Sequence, residues 1–165
     1  MLSDELINCF KDTFQISIYT RVSYNTNYSI KSNKVYMEGF VSTQKRKEEH
    51  AVINICSGTT FSIVRNYLQY GRVAVLNFAN PVIPGGGVGN GAMAQEECLC
   101  RSSNLYACIS ASNVYEEYYG YHRNLKNYFY SDRLIYTKDV TVFKNDNIVP
   151  QIMPQEYWFS VDVIT

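Results

Sequence analysis

The first apolar positions, Leu6, Ile7 and Phe10, recur at helical spacing, with Ser3 or Asp4 placed as a cap. They predict a helix ending near Phe14. Residues 34–39 (KVYMEG) and 51–56 (AVINIC) read as strands, and the charged run between them, QKRKEEH (44–50), reads as solvated loop. Thr59 or Thr60 then opens a second helix with Phe61, Val64, Tyr67 and Leu68 on one side and Gly71 as its stop. Residues 73–78 (VAVLNF) are almost continuously apolar, the pattern of a strand buried on both faces in the middle of a covered sheet. A glycine loop follows, and a third helix is predicted from about Gly91 or Ala92. Two further strands, VTVFK (140–144) and WFSVDVIT (158–165), close the sequence. The alternation of strand, helix, strand, loop and helix predicts an α/β domain.

With 165 residues, 46% of them hydrophobic and 18% charged, the chain suits one globular domain over 1–165. Zero formal net charge provides no general attraction to nucleic acid or acidic membranes, so any polyanion would have to be held locally. The N-terminus MLSDELINCFKD lacks a secretory pattern, and no apolar stretch approaches the roughly 20 residues of a membrane span. Five cysteines without a regular framework suggest reduced thiols and a cytoplasmic setting. The Cys98-x-Cys100 pair, with His122 the nearest histidine, lacks the spacing of a four-ligand zinc site, so neither metal nor cofactor is expected. Core-facing cysteines on a helix are the plainer reading.

The tyrosine-rich stretch 115–136 also carries Arg123, Lys126 and Arg133. Stacking on single-stranded nucleic acid is one reading of that mixture. A packed, partly exposed helix and loop is preferred, because the net charge is zero and Glu116 and Glu117 lie within it. Sequence-specific nucleic-acid binding is not expected. Asp132 and Asp139 read as turn or cap residues.

The chemistry concentrates in NFANPVIPGGGVGNGAMAQEECLC, residues 77–100. Gly85, Gly86, Gly87, Gly89 and Gly91 let backbone approach a ligand closely, and successive amides of such a loop can converge on an anion. The following helix adds its positive N-terminal end, which points to a phosphate-bearing ligand. The spacing fits neither dinucleotide-binding nor P-loop patterns, and a tight strand-to-helix connection remains the bland alternative. Glu96 and Glu97 fall in the first turns of that helix, and Glu97 stands four residues before Arg101, the spacing of a helix ion pair. Neighbouring side chains diverge by about 100°, so the two acids are not expected to face the same way. Paired acids beside a phosphate cradle suggest acid-assisted glycosidic cleavage.

The stretch 77–80 (NFAN), the PGGG of 84–87 and the QEE of 95–97 resemble the signature of poly(ADP-ribose) glycohydrolases, and their surroundings resemble its microbial, bacterial-type branch. Weaker similarity extends over most of the chain. The resemblance implies a macrodomain-like three-layer α/β/α sheet that binds ADP-ribose and hydrolyses ribose–ribose O-glycosidic bonds without metal. Poly(ADP-ribose) or ADP-ribosylated proteins would be substrate, and ADP-ribose the product. It assigns Glu97 as the catalytic acid that protonates the departing ribose oxygen. Glu96 would contact ribose hydroxyls, and Asn80 the ribose. Gly85, Gly86, Gly87 and Val88 would wrap the diphosphate and scissile ribose, with Gln95 a further member of the motif. Related domains continue beyond the strand that SVDVIT resembles, so the C-terminal portion of the fold is expected to be missing. Two other readings stay open. One is a non-catalytic or truncated ADP-ribose-binding module, and the other a homo-oligomer completed through an exposed terminal strand.

Overall fold

The computed structural model describes residues 1–43, 51–126 and 129–165, so the charged run 44–50 lies outside the described residues. Four strands form one mixed sheet: β1 (Lys34–Tyr36), β2 (Ala74–Leu76), β3 (Leu134–Val142) and β4 (Phe159–Ile164). Their order is β1-β3-β4-β2, with β3 antiparallel to both neighbours and β2 parallel to β4. With the helices, this gives the mixed α/β architecture expected.

Helix α1 (Leu2–Tyr19) runs five residues past its expected end, because its buried face turns polar there. Leu6, Cys9, Thr13 and Ser17 form that face. The Thr13 and Ser17 hydroxyls donate to the carbonyls of Cys9 and Thr13, four residues back, so both are buried without an orphan donor. Apolar periodicity cannot register such a face. Helix α2 (Val22–Ser32) is built alike, with Val22, Thr26 and Ser29 inward. It packs on β3, where Ser29 donates to Asp139 O at 2.9 Å.

Helix α3 (Thr60–Tyr67) begins where expected: Thr59 accepts the Ser62 N–H, and Asp146 accepts it at 2.9 Å. A 3-10 turn carries the chain to Gly71, whose φ of +130° ends the helix. After the glycine loop come α4 (Gln95–Ser102), α5 (Leu105–Ile109), α6 (Ser112–Val114), a π-helical turn (Tyr115–Gly120) and α7 (Tyr121–Arg123). The core joins Val75, Val140, Val142, Val161 and Val163 of the sheet to Phe61, Val64, Leu99, Leu105 and Ile109 of the helices. Ile135 anchors a smaller cluster with Val114, Tyr118 and Tyr119, so the tyrosine-rich stretch is packed and partly exposed, as expected. Two of its three cations lie over its own rings: Arg123 over Tyr115 and Arg133 over Tyr121.

Several expectations are corrected. Residues 51–56 form no strand, and Val52, Ile53 and Ile55 are more than four-fifths exposed. An apolar run becomes a strand only when a neighbour accepts its ladder, and no described strand pairs with this one. Among the described strands β2 is an edge, not the centre. Val75 is buried, but Leu76 and Phe78 are 54% and 71% exposed. Its central place is taken by β4, which pairs on both sides. That last strand is therefore flanked by β3 along its length and by β2 over Asp162–Ile164, so it is an inner strand of the sheet and not the exposed edge expected. Of Cys98 and Cys100 only the second faces the core, because residues two apart on a helix point to nearly opposite sides. Asp132 does act as a turn acceptor, for the Gly39 N–H at 3.1 Å. Asp139 instead occupies the bulge of β3 between Thr137 and Val140, with φ +54°.

Candidate active site

The open end of β2 and the first turn of α4 are joined directly. Gln95 accepts the Phe78 N–H at 2.9 Å and donates to Leu76 O at 2.7 Å. Its amide therefore meets the free edge of β2 as another strand would, and a further bond to Thr60 Oγ1 at 3.3 Å ties in α3. The helix starts at Gln95, several residues later than predicted, because a 3-10 turn (Val88–Asn90) and Gly91 occupy the approach.

This anchoring places Glu96 and Glu97 beneath the glycine loop, 2% and 7% exposed. Glu96 accepts from Asn80 N at 2.8 Å, Gly85 N at 3.2 Å and Asn77 Nδ2 at 3.3 Å. Glu97 Oε1 accepts from Gly87 N at 2.8 Å, whereas the buried Oε2 has no protein partner. Burial pushes the Glu96 carboxyl above its ordinary value, the nearby Glu97 charge adds to this, and its three donors partly offset it. The same burial, with the fields of both acids, raises the Cys100 thiol well above normal.

The two acids diverge at Cβ but reach one loop, contrary to expectation, because the loop wraps over the helix end. Gly86 shows the crowding. With φ +54°, a Cβ there would lie 2.6 Å from Glu97 Oε1 and 3.1 Å from Glu96 Oε2. Here glycine makes room for two carboxylates. The amides expected to converge on an anion are turned inward: Gly85 and Gly87 serve the acids, Gly86 donates to Ile83 O and Val88 to Gly85 O. A buried carboxylate satisfied by backbone N–H groups outweighs leaving them exposed for a ligand. The Val88 side chain is 2% exposed and belongs to the core. Asn80 uses Oδ1 to accept from Val82 N and Ile83 N, both at 2.9 Å, and so shapes the turn into the loop.

The expected Glu97–Arg101 pair does not form. Glu97 is directed to Gly87, while Arg101, 1% exposed, donates to Ala92 O at 2.7 Å. Two further contributors escaped the sequence reading. Asn77 is a buried amide bridging Glu96 and Thr165, and a polar residue inside the apolar run 73–78 was its available signal. Tyr106 lies against the loop, where a Cβ on Gly85 would meet its ring at 2.8 Å. Among the described residues no three His, Cys, Asp or Glu side chains converge as metal ligands.

The family described as microbial-type PARG, catalytic domain, matches residues 8–145. Among solved structures, poly(ADP-ribose) glycohydrolase from Thermomonospora curvata superposes with a TM-score of 0.79 at 27% identity, over 98% of this chain and 63% of that one. The same protein bound to the inhibitor ADP-HPD gives 0.77 at 28% identity, over 98% and 62%. The enzyme from Deinococcus radiodurans in complex with ADP-ribose gives 0.56 at 38% identity, over 64% and 40%. The chain thus spans less than two thirds of the length of these relatives. Among curated proteins nothing matches. By its family match over residues 8–145, the chain belongs to the microbial-type poly(ADP-ribose) glycohydrolase catalytic domains.

Proposed function

We propose that this chain carries the acid pair of a poly(ADP-ribose) glycohydrolase that cleaves ribose–ribose O-glycosidic bonds and releases ADP-ribose. The observation that carries the reading is the asymmetry of Glu97. One oxygen is fixed by the Gly87 N–H, and the other is buried and unpartnered. A proton on such a carboxyl belongs on Oε2, since Oε1 already faces a donor. Oε2–H would protonate the departing ribose oxygen as the glycosidic bond breaks, and water would attack the oxocarbenium-like carbon. Glu96, held by three donors, would accept from ribose hydroxyls and set the sugar's angle. Asn80 retains its Nδ2 for the ribose, and residues 85–88 would contact ribose and diphosphate by their outward backbone surface. Gln95, bonded to Phe78 N and Leu76 O, holds the helix start that carries both acids. Relatives solved with ADP-ribose and ADP-HPD support this ligand class. Five free cysteines support a reducing, cytoplasmic setting, and among the described residues no helix is long and apolar enough to cross a membrane.

A second reading, an ADP-ribose reader without turnover, is favoured by the inward-turned loop amides. One experiment separates the two: polymer hydrolysis by the wild-type chain and Glu97→Gln, with ADP-ribose calorimetry beside it. The glycohydrolase reading expects turnover that Glu97→Gln abolishes while circular dichroism stays unchanged. Binding without turnover in the wild type selects the reader, and full turnover in Glu97→Gln overturns the role of Glu97.

A further inference from the structure

Arg101 is a buried cation with no carboxylate at ion-pair distance among the described residues. Its contacts are few. Nη1 donates to Ala92 O at 2.7 Å, Nη2 approaches Cys98 Sγ at 3.7 Å, and Nε has no partner. Burying a guanidinium for one carbonyl is expensive, so the position of that carbonyl bears on what Arg101 does.

Ala92 closes the glycine loop. Its N–H donates to Gly87 O at 3.2 Å, and the Gly87 N–H is the donor to Glu97 Oε1 at 2.8 Å. Glu97 and Arg101 stand one turn apart on α4. A ring therefore closes: from α4 through the Arg101 side chain to Ala92, across to Gly87, and back through the Glu97 side chain to the same helix. Its two side-chain arms fix the loop at both ends of the span 87–92. Thr13 braces the helix from behind, its single hydroxyl proton shared between Arg101 O at 2.7 Å and Cys9 O at 2.8 Å.

We propose that Arg101 is a positioning residue for the acid pair. It holds Ala92 and, through the Ala92–Gly87 bond, keeps the Gly87 N–H on Glu97 Oε1, so that Oε2 is the oxygen presented to substrate. The catalytic part of this statement rests on the glycohydrolase reading. The mechanical part does not. Arg101 acts by its hydrogen bond to Ala92, so a neutral amide donor, two bonds shorter, substitutes for it only in part.

The test uses the full chain with Arg101→Met, which keeps bulk and removes the donors, and Arg101→Gln, which keeps an amide donor. Hydrogen exchange across residues 85–92 is read against that of β3 and β4. Arg101→Met is expected to speed loop exchange by roughly fivefold to tenfold, the scale of one lost hydrogen bond, with the strands unchanged. Arg101→Gln should restore part of the protection. In polymer hydrolysis, Arg101→Met should lower kcat by about 10- to 100-fold while KM moves less than about threefold, because orientation is lost rather than binding. Wild-type loop exchange in folded Arg101→Met overturns the proposal. So does an unchanged kcat in a wild-type background that turns over. Should Arg101→Met not fold, Arg101→Gln is read alone: exchange between wild type and full opening, with a matching partial kcat, supports the clamp, and wild-type kcat with a fully opened loop refutes it. Should the wild-type chain show no turnover, the glycohydrolase reading fails while loop exchange still decides the clamp.

Discussion

The Gly87 N–H holds Glu97 Oε1 at 2.8 Å, while the buried Glu97 Oε2 meets no donor. Both facts follow from a loop that folds over the first turn of α4. A carboxylate at a helix start is ordinarily solvated and stabilised by the helix dipole. Here the loop replaces the solvent with one N–H, on Oε1, and brings no donor to Oε2.

Gly86→Ala should disable this arrangement. The new Cβ would sit 2.6 Å from Glu97 Oε1 on a backbone with φ +54°, so the acid must move and the residue is strained. We expect a stability loss of about 1–3 kcal/mol and a fall in ADP-ribose release of roughly 100-fold. Thermal melting and a polymer assay would read the two effects, and near-wild-type turnover would refute the crowding argument.

Gln95→Ala removes the amide that continues the β2 edge. Leu76 O and Phe78 N would turn to water at this exposed rim, so the loss is about 1–2 kcal/mol. Urea unfolding should show a lower midpoint at unchanged slope. An unchanged midpoint would show that the staple contributes nothing.

His122 should make stability depend on pH. Its ring is 3% exposed, with Nε2 bonded to Ser131 Oγ at 2.9 Å. Burial pushes its pKa below the ordinary histidine value, with the Arg133 charge adding to this, while the Tyr118 backbone and the Glu38 charge oppose it. The unfolded state then binds the proton more readily. Stability is fully present above about pH 6.5 and is lost as pH falls through the depressed folded value. Glu96 slopes the other way: its raised carboxyl favours the folded state at lower pH, and that contribution is lost as pH rises through its folded value. The difference between wild type and His122→Gln isolates the histidine. Parallel stability curves from pH 7 to 5 would contradict its assignment.

Ile135→Ala should cost about 2–5 kcal/mol, since this fully buried side chain joins β3 to Val114, Tyr118 and Tyr119. The damage should concentrate in the π-helical turn, read as faster hydrogen exchange across 114–123. Faster exchange spread evenly over β3 and β4 would contradict two separate clusters.

Local patterns carried a good part of this molecule. Thr59 and Gly71 bound α3 because capping and positive φ are properties of a few neighbouring residues. The GGG and QEE spacing marked, for the same reason, where a flexible loop meets a helix start. Other features depend on distant chain. Whether VAVLNF was centre or edge depended on where β4, more than 80 residues later, found its partners. The end of α1 depended on hydroxyls bonding inside the helix, which hydropathy does not record. Sequence alone determined that two acids follow a flexible loop at a helix start. The tertiary structure decided that the loop closes on them, turning its amides from the expected anion to Glu96 and Glu97, because buried carboxylates need donors and the nearest ones were the glycines' own.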